Sequence, residues 1–227
     1  RRTVIVDGYI DDPAALGVPP YISPIVRAAA GAAADAGHEV VYITADMLRQ
    51  GKEIPDADLV AVISGSTVPG KYLRSMPMSS RELMRLARSI GSYSILGGSS
   101  CGTPASGFFD DVSKRDIAAR IFDILSCGEG EERYRTLDEW NRWMVLGASV
   151  VKQHQDHPRP LIAEIETYRG CHRYASGGCS YCIEPLKGRP LMRSPKDILE
   201  EAAELKRNGI VNVRVGGQTC IISYGTE

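Results

Sequence analysis

A chain of 227 residues with 43% apolar side chains can fill one large α/β core or two smaller ones. Its 27 Lys and Arg against 28 Asp and Glu leave a formal charge of −1, so nothing in the charge balance indicates a nucleic-acid or membrane surface. No apolar run approaches the roughly 20 residues of a membrane span, no signal-peptide pattern opens the chain, and a cytoplasmic protein is expected.

The apolar run 3–7, closed by Gly8, predicts a buried strand, and 11–20 is a Pro-rich loop. Residues 22–36 read as a small-residue helix with Gly37 as its C′ glycine. Strands follow at 39–43 and 59–63, the second closed by Gly65. The stretch 79–90 is amphipathic, with Leu83, Leu86, Ala87 and Ile90 on one face and Ser80 as its cap. A strand stub at 94–96 leads into Gly97-Gly98, and helices follow at 114–125 and 137–151. Trp140 and Trp143, at helical spacing on the last of these, are expected to be core or interface residues. This alternation predicts a doubly wound, Rossmann-like parallel sheet with helices on both faces, assigned to residues 1–155.

Residues 153–160 have the polar, Pro-containing composition of a solvated linker, which makes His154 and His157 linker residues rather than metal ligands. A fresh α/β pattern starts with a strand at 161–166. Ser194 as N-cap and Pro195 at N1 open a helix that runs to Arg207, Asn208-Gly209 end it, and 211–215 is a strand. One βαβ unit cannot bury its own faces, so 160–227 is expected to be the truncated start of a partial TIM-type barrel. The chain opens on Arg1 without a Met and stops at Glu227, just past a strand, and is therefore expected to be a fragment.

Cys101, Cys127 and Cys220 stand alone, whereas Cys171, Cys179 and Cys182 crowd into one loop past the end of a predicted strand, where parallel sheets place their chemistry. Clustered cysteines in a chain without an export signal bind metal more often than they pair. Three thiolates can hold three irons of a 4Fe–4S cube and leave the fourth iron open, whereas ferredoxins usually supply four cysteines. The alternative is a zinc site made of the C-x-x-C pair, Cys171 and His172, although neighbours such as Cys171 and His172 rarely both reach one ion.

The strings Arg169-Gly170-Cys171 and Gly178-Cys179-Ser-Tyr-Cys182 resemble the radical SAM signature, and Gly216-Gly217-Gln218 resembles that family's Gly-Gly-Glu-type stretch. More narrowly, residues 6–12, 17–23, 67–72, 165–171 and 178–185 resemble an archaeal, uncharacterised branch that carries a cobalamin-binding-like domain before the radical SAM core. The resemblance implies a 4Fe–4S cluster on Cys171, Cys179 and Cys182, with S-adenosyl-L-methionine (SAM) chelated by the open iron. It implies Gly216, Gly217 and Gln218 at the methionine end, and Tyr181 near the adenine. It also implies an external one-electron donor and a 5′-deoxyadenosyl radical acting on an unknown substrate. Two departures are visible: seven residues rather than the usual three separate the first two cysteines, and Gln218 stands where an acidic residue is common. The competing function is a non-catalytic domain pair stapled by a structural zinc or cluster site.

Other features carry weaker signals. The D-x-H-x-x-G loop of cobalamin-binding folds is missing from 11–17, which leaves cobalamin open but without a motif. His38 is expected as an exposed turn residue. The Gly/Ser loop 97–102 could cradle a phosphate but lacks the G-x-G-x-x-G spacing and the P-loop Lys, and a tight turn is the better reading. The stretch 65–70 reads equally as a ligand loop or a plain one. Cys101 is expected to be inert and Cys220 a packing residue, and Glu131-Glu132 and Glu200-Glu201 to lie on solvated faces.

Overall fold

The computed structural model describes residues 1–12, 15–65, 74–126, 128, 130–218 and 220–225. The expected stretches at 67–72 and most of 65–70, together with Cys127 and Glu227, lie outside the described residues. Along the chain run β1 (Arg2–Asp7), β2 (Asp11–Asp12), β3 (Ala15–Leu16), β4 (Tyr21–Ile22), α1 (Pro24–Asp35), β5 (Glu39–Thr44) and α2 (Ala45–Arg49). Next come β6 (Leu59–Ile63), α3 (Ser80–Ser89), β7 (Tyr93–Gly97), β8 (Asp111–Ser113), α4 (Ile117–Ser126) and α5 (Leu137–Leu146). The last elements are β9 (Ile162–Ile165), β10 (Tyr168–Arg169), β11 (Leu191–Met192), α6 (Pro195–Arg207) and β12 (Asn212–Val215).

Five strands form an all-parallel sheet in the order β5-β1-β6-β7-β8, the Rossmann-like layer the alternation predicts. Its central strands are apolar on both faces (Leu59 to Ile63 are all buried), as a sheet covered by helices on both sides requires. Alanines pack α1 tightly against α5. A Cβ at Gly31 would stand 1.9 Å from the Trp143 carbonyl oxygen, and one at Gly147 1.9 Å from that of Arg27, so the two backbones touch where only glycine fits. Trp140 and Trp143 are fully buried, as expected.

The second part is a parallel βαβ unit, β9-α6-β12, with one addition that period and composition do not reveal. Tyr21 and Ile22 of β4 pair with Ile162 and Ala163, making a three-stranded sheet β12-β9-β4. The core is continuous across this junction, from Ile22 and Val26 to Ala163, Ile165, Leu205 and Ile210.

Several expectations change. The cap of α3 is Ser79, not Ser80: its hydroxyl accepts from the Glu82 amide while Glu82 bonds the Ser79 amide. The helix expected over 137–151 ends at Leu146 and tightens into a 3₁₀ turn over Gly147–Gln153. His38 is buried, its Nδ1 3.0 Å from Thr3 Oγ1. The linker expected to be solvated is exposed at Gln153, Gln155 and 158–160 but anchored at two buried residues: His154 stacks on Tyr42 at 6.0 Å and Asp156 pairs with Arg74, while the exposed Gln153 donates to the Val40 carbonyl. A polar sequence reads as solvent-exposed unless its partners are known, and these partners lie more than 80 residues away.

Glu201 is the sharpest correction. Its carboxylate is 0% exposed, and Arg27 Nη1 of α1 donates to it at 2.7 Å while Arg193, just before α6, pairs with its other oxygen. Arg27 also donates to the Glu164 carbonyl, and Arg193 Nη1 to the Glu166 carbonyl at 3.0 Å, so both arginines grip the backbone around the end of β9. Removing one member of such a buried set strands uncompensated charge at a cost of about 3–5 kcal/mol. Glu201→Ala should therefore lower the urea-unfolding free energy by about 3–5 kcal/mol; a loss below about 1 kcal/mol, typical of a surface ion pair, would refute this role.

Candidate functional site

Backbone pairing dictates which segments meet. In the parallel register of β9 and β12, Ile165 faces Val215, so the segments that follow both strands leave the sheet at the same end. The Gly216 amide donates to the Ile165 carbonyl at 3.0 Å. Farther out, the Tyr168 hydroxyl donates to the Cys220 carbonyl at 2.7 Å and accepts from its amide at 2.8 Å. The cysteine loop and the Gly216-Gly217-Gln218 stretch are thus stitched side by side. A Cβ at Gly216 would stand 1.9 Å from Glu164 Oε1, which explains a glycine there in terms of this structure alone.

Cys171 is buried, and Cys179 and Cys182 are half-buried; the described cysteines form no disulfide. Arg173 joins the first two, its amide donating to Cys171 Sγ at 3.4 Å and its Nη1 to Cys179 Sγ at 3.6 Å. The Cys182 amide closes a tight turn on the Cys179 carbonyl at 3.1 Å. Tyr181 is 85% exposed, and its hydrogen bond with Cys179 pushes its hydroxyl above the usual range. Gly178 has φ +67°, and a Cβ there would clash with the Pro185 ring, so the glycine serves packing of the loop on its own following turn. Gln218 Oε1 is buried with no hydrogen-bond partner among the described residues.

The donor set suits an iron–sulfur cube. Among the described residues no three Cys, His, Asp or Glu side chains converge on a point where one ion could sit. A cube places a different demand on the loop, three thiols at separate corners with each on its own iron. The orphaned Gln218 acceptor beside the loop has the chemistry to meet an ammonium group.

Beside the loop lies a cavity of roughly 300 Å³, walled by Gly98 and Ser113 from the ends of β7 and β8, by Glu166 and Gly217 from the ends of β9 and β12, and by the turn just after Cys182. Arg135 crosses it, 3.3 Å from Asp116 Oδ2 and 3.5 Å from Glu166 Oε2. Arg169 reaches Asp116 at 3.5 Å and donates to the Arg135 carbonyl at 2.6 Å. Glu184 accepts from the Gly170 amide at 3.2 Å and pairs with Lys187. Burial pushes the Glu166 carboxyl up to about 7, with Arg135 and Lys187 working the other way. These charges escaped sequence reasoning because they are scattered over some 70 residues; the only hint was an acidic residue directly after a strand, at Glu166.

The remaining candidates separate from this site. Cys101 is inert as expected: Sγ bonds the Leu96 and Ser113 carbonyls, and burial raises the thiol to about 12. Cys220 is exposed rather than packed, and hydrogen bonding from Ser223 lowers its thiol. Asp11–Asp12 and Ala15–Leu16 pair as a short antiparallel ladder where a cobalamin histidine would be sought. No described helix is long and apolar enough to cross a membrane.

The chain is 40% identical, over 98% of its length, to an uncharacterized protein of Methanocaldococcus jannaschii, and 36% identical over 98% to one of Archaeoglobus fulgidus. It spans only 45% and 41% of the lengths of these two relatives. Over 37% of its length it is 39% identical to the tRNA-2-methylthio-N(6)-dimethylallyladenosine synthase of Lachnoclostridium phytofermentans, covering 17% of that enzyme. No protein-family profile matches the chain. No solved structure matches it.

The raised Glu166 carboxyl has a thermodynamic consequence. Because its folded value lies above the unfolded one, the stability it contributes is complete below about pH 4.5 and is lost as pH rises through about 7. Glu166→Gln, which holds the neutral form at every pH, should therefore gain melting temperature relative to the parent between pH 5 and pH 8. A difference between the two proteins that stays constant with pH would show that Glu166 is ionised throughout.

Proposed function

We propose that this chain is part of a radical SAM iron–sulfur enzyme. The observation that carries the reading is the shared exit of the cysteine loop and the Gly216-Gly217-Gln218 stretch from neighbouring parallel strands, with a buried Gln218 oxygen that has no partner among the described residues. The partial similarity to tRNA-2-methylthio-N(6)-dimethylallyladenosine synthases supports the same relationship. Cys171, Cys179 and Cys182 would hold a 4Fe–4S cluster. When bound and reduced, such a cluster supplies the electron that cleaves the SAM sulfonium to a 5′-deoxyadenosyl radical.

The residues of this chain then have defined tasks. Gln218 Oε1 would accept from the SAM ammonium, and the backbone at Gly216 and Gly217 would line the methionine end. Tyr181, tethered to Cys179, would cover the adenine on the solvent side. Arg173 orders the unusually long segment between the first two cysteines by holding one thiol with its amide and another with its guanidinium. The electron would come from an external donor, and the hydrogen would come from a separate substrate. Cobalamin, which has no D-x-H-x-x-G motif at 11–17, forms no part of this reading.

Anaerobic reconstitution of the full-length protein with iron and sulfide should give a brown protein with the EPR signal of a reduced 4Fe–4S cluster. Dithionite with SAM should then release 5′-deoxyadenosine. Replacing Cys171, Cys179 or Cys182 with Ala should abolish the EPR signal. Gln218→Ala should keep it while weakening SAM about tenfold, the scale of a hydrogen bond to a charged group. A colourless protein that retains one zinc would overturn the assignment.

A further inference from the structure

The cavity beside the cysteine loop is where two parallel sheets present the carboxyl ends of their strands to one another. Gly98 follows β7 and Ser113 ends β8, while Glu166 and Gly217 lie just past β9 and β12. Ligand crevices of open parallel sheets form at such ends. The wall carries Lys114, Arg115, Arg135, Arg169 and Lys187 against three carboxylates, Asp116, Glu166 and Glu184.

Two of the three carboxylates are engaged within the protein. Asp116 accepts from the Ala118 amide at the start of α4 and pairs with Arg135 and Arg169. Glu184 takes Lys187 and the Gly170 amide. Glu166 has the 3.5 Å approach of Arg135, and its Oε2 accepts no hydrogen bond among the described residues. Beside that one acceptor, donors remain. Arg135 is 5% exposed, and its Nη1 has no hydrogen-bond partner among the described residues; the Ser113 hydroxyl, 3% exposed, has none either. Buried donors without acceptors are costly, and such groups mark places where a missing partner belongs.

We infer that this cavity binds the phosphoryl group of a small phosphomonoester, with Arg135 and the Ser113 hydroxyl as its principal donors. A guanidinium and a hydroxyl both donate to oxygen, and a tetrahedral oxyanion offers several acceptors to donors arriving from different strands. The excess of cations over carboxylates suits a dianion. Ile25, Ile183 and Leu186 leave an apolar flank for the organic part, and roughly 300 Å³ admits a molecule of sugar-phosphate size. The Gly/Ser loop 97–102 contributes through its position at the wall, without the glycine spacing of a nucleotide motif. The inference does not require the cysteine loop to hold a cluster, so failure of reconstitution would remove the radical SAM reading and leave this one standing, and the reverse.

Isothermal titration calorimetry on the full-length protein in a phosphate-free buffer tests it, with ribose 5-phosphate, ribose, inorganic phosphate and succinate as titrants. Ribose 5-phosphate should bind and ribose should not. Ser113→Ala deletes a hydroxyl that has no hydrogen-bond partner among the described residues, so it should melt as the parent does and bind ribose 5-phosphate at least about fivefold more weakly. Arg135→Lys should weaken it about tenfold, since a point charge replaces a planar fork. No heat from either phosphate, affinity unchanged in Ser113→Ala, or binding of succinate with none of phosphate would each overturn the assignment.

Discussion

Glu201 sits where no water reaches it, held between two arginines, Arg27 on α1 and Arg193 just before α6. Desolvating three charged groups is expensive, and their mutual attraction offsets that only with near-ideal geometry and full hydrogen bonding. Here the arginines also reach backbone beyond Glu201, although Arg27 Nε has no hydrogen-bond partner among the described residues. Arg27 holds the Glu164 carbonyl, and Arg193 holds the Glu166 carbonyl and the Asn141 side chain. The last turn of backbone before the cysteine loop is thereby fixed to α1, α5 and α6 together. A hydrophobic trio of equal volume could supply comparable stability but could not grip two carbonyls and so set where the loop begins.

One indole links that anchor to the cavity. The Trp140 ring has Arg193 at 5.7 Å, Arg135 at 5.0 Å and Arg169 at 5.4 Å from its centroid. Arg193 belongs to the buried triad, whereas Arg135 and Arg169 belong to the cavity wall. Three cations around one ring repel one another, and the burial of Arg169 together with nearby Arg135 lowers its pKa. Asp116, Glu166 and Glu201 are placed to offset that repulsion, which gives a physical reason for carboxylates buried at levels the sequence does not suggest.

Much of the fold is legible in the sequence because it rests on local rules. Buried parallel strands announce themselves as apolar runs such as 59–63, and α6 is bounded by Ser194, Pro195 and Asn208-Gly209 as capping chemistry requires. The cysteine loop was legible for the same reason, since three thiols in one loop form a local pattern. What escaped depends on partners far along the chain. Glu201 follows another glutamate on an amphipathic helix and reads as solvated, yet its partner Arg27 lies 174 residues away. The pairing of β4 with β9 rests on two residues, too few for any period to register. His38 and His154 misled in the same way: a polar side chain is placed by its acceptor, and their acceptors or stacking partners belong to other strands.

The cavity was illegible for a deeper reason: it is a property of neither sheet alone. Each sheet ends its strands in small or polar residues, Gly98 and Ser113 in one, Glu166 and Gly217 in the other. Each set by itself reads as an ordinary turn. Packing of α1 beneath β9 and the β4 pairing bring the two sets face to face and merge two strand-end crevices into one. The residues that complete the wall, Ile183 to Lys187, directly follow the last cysteine. The cavity and the cysteine loop thus share a wall, and an occupant of the cavity would touch the turn that directly follows Cys182.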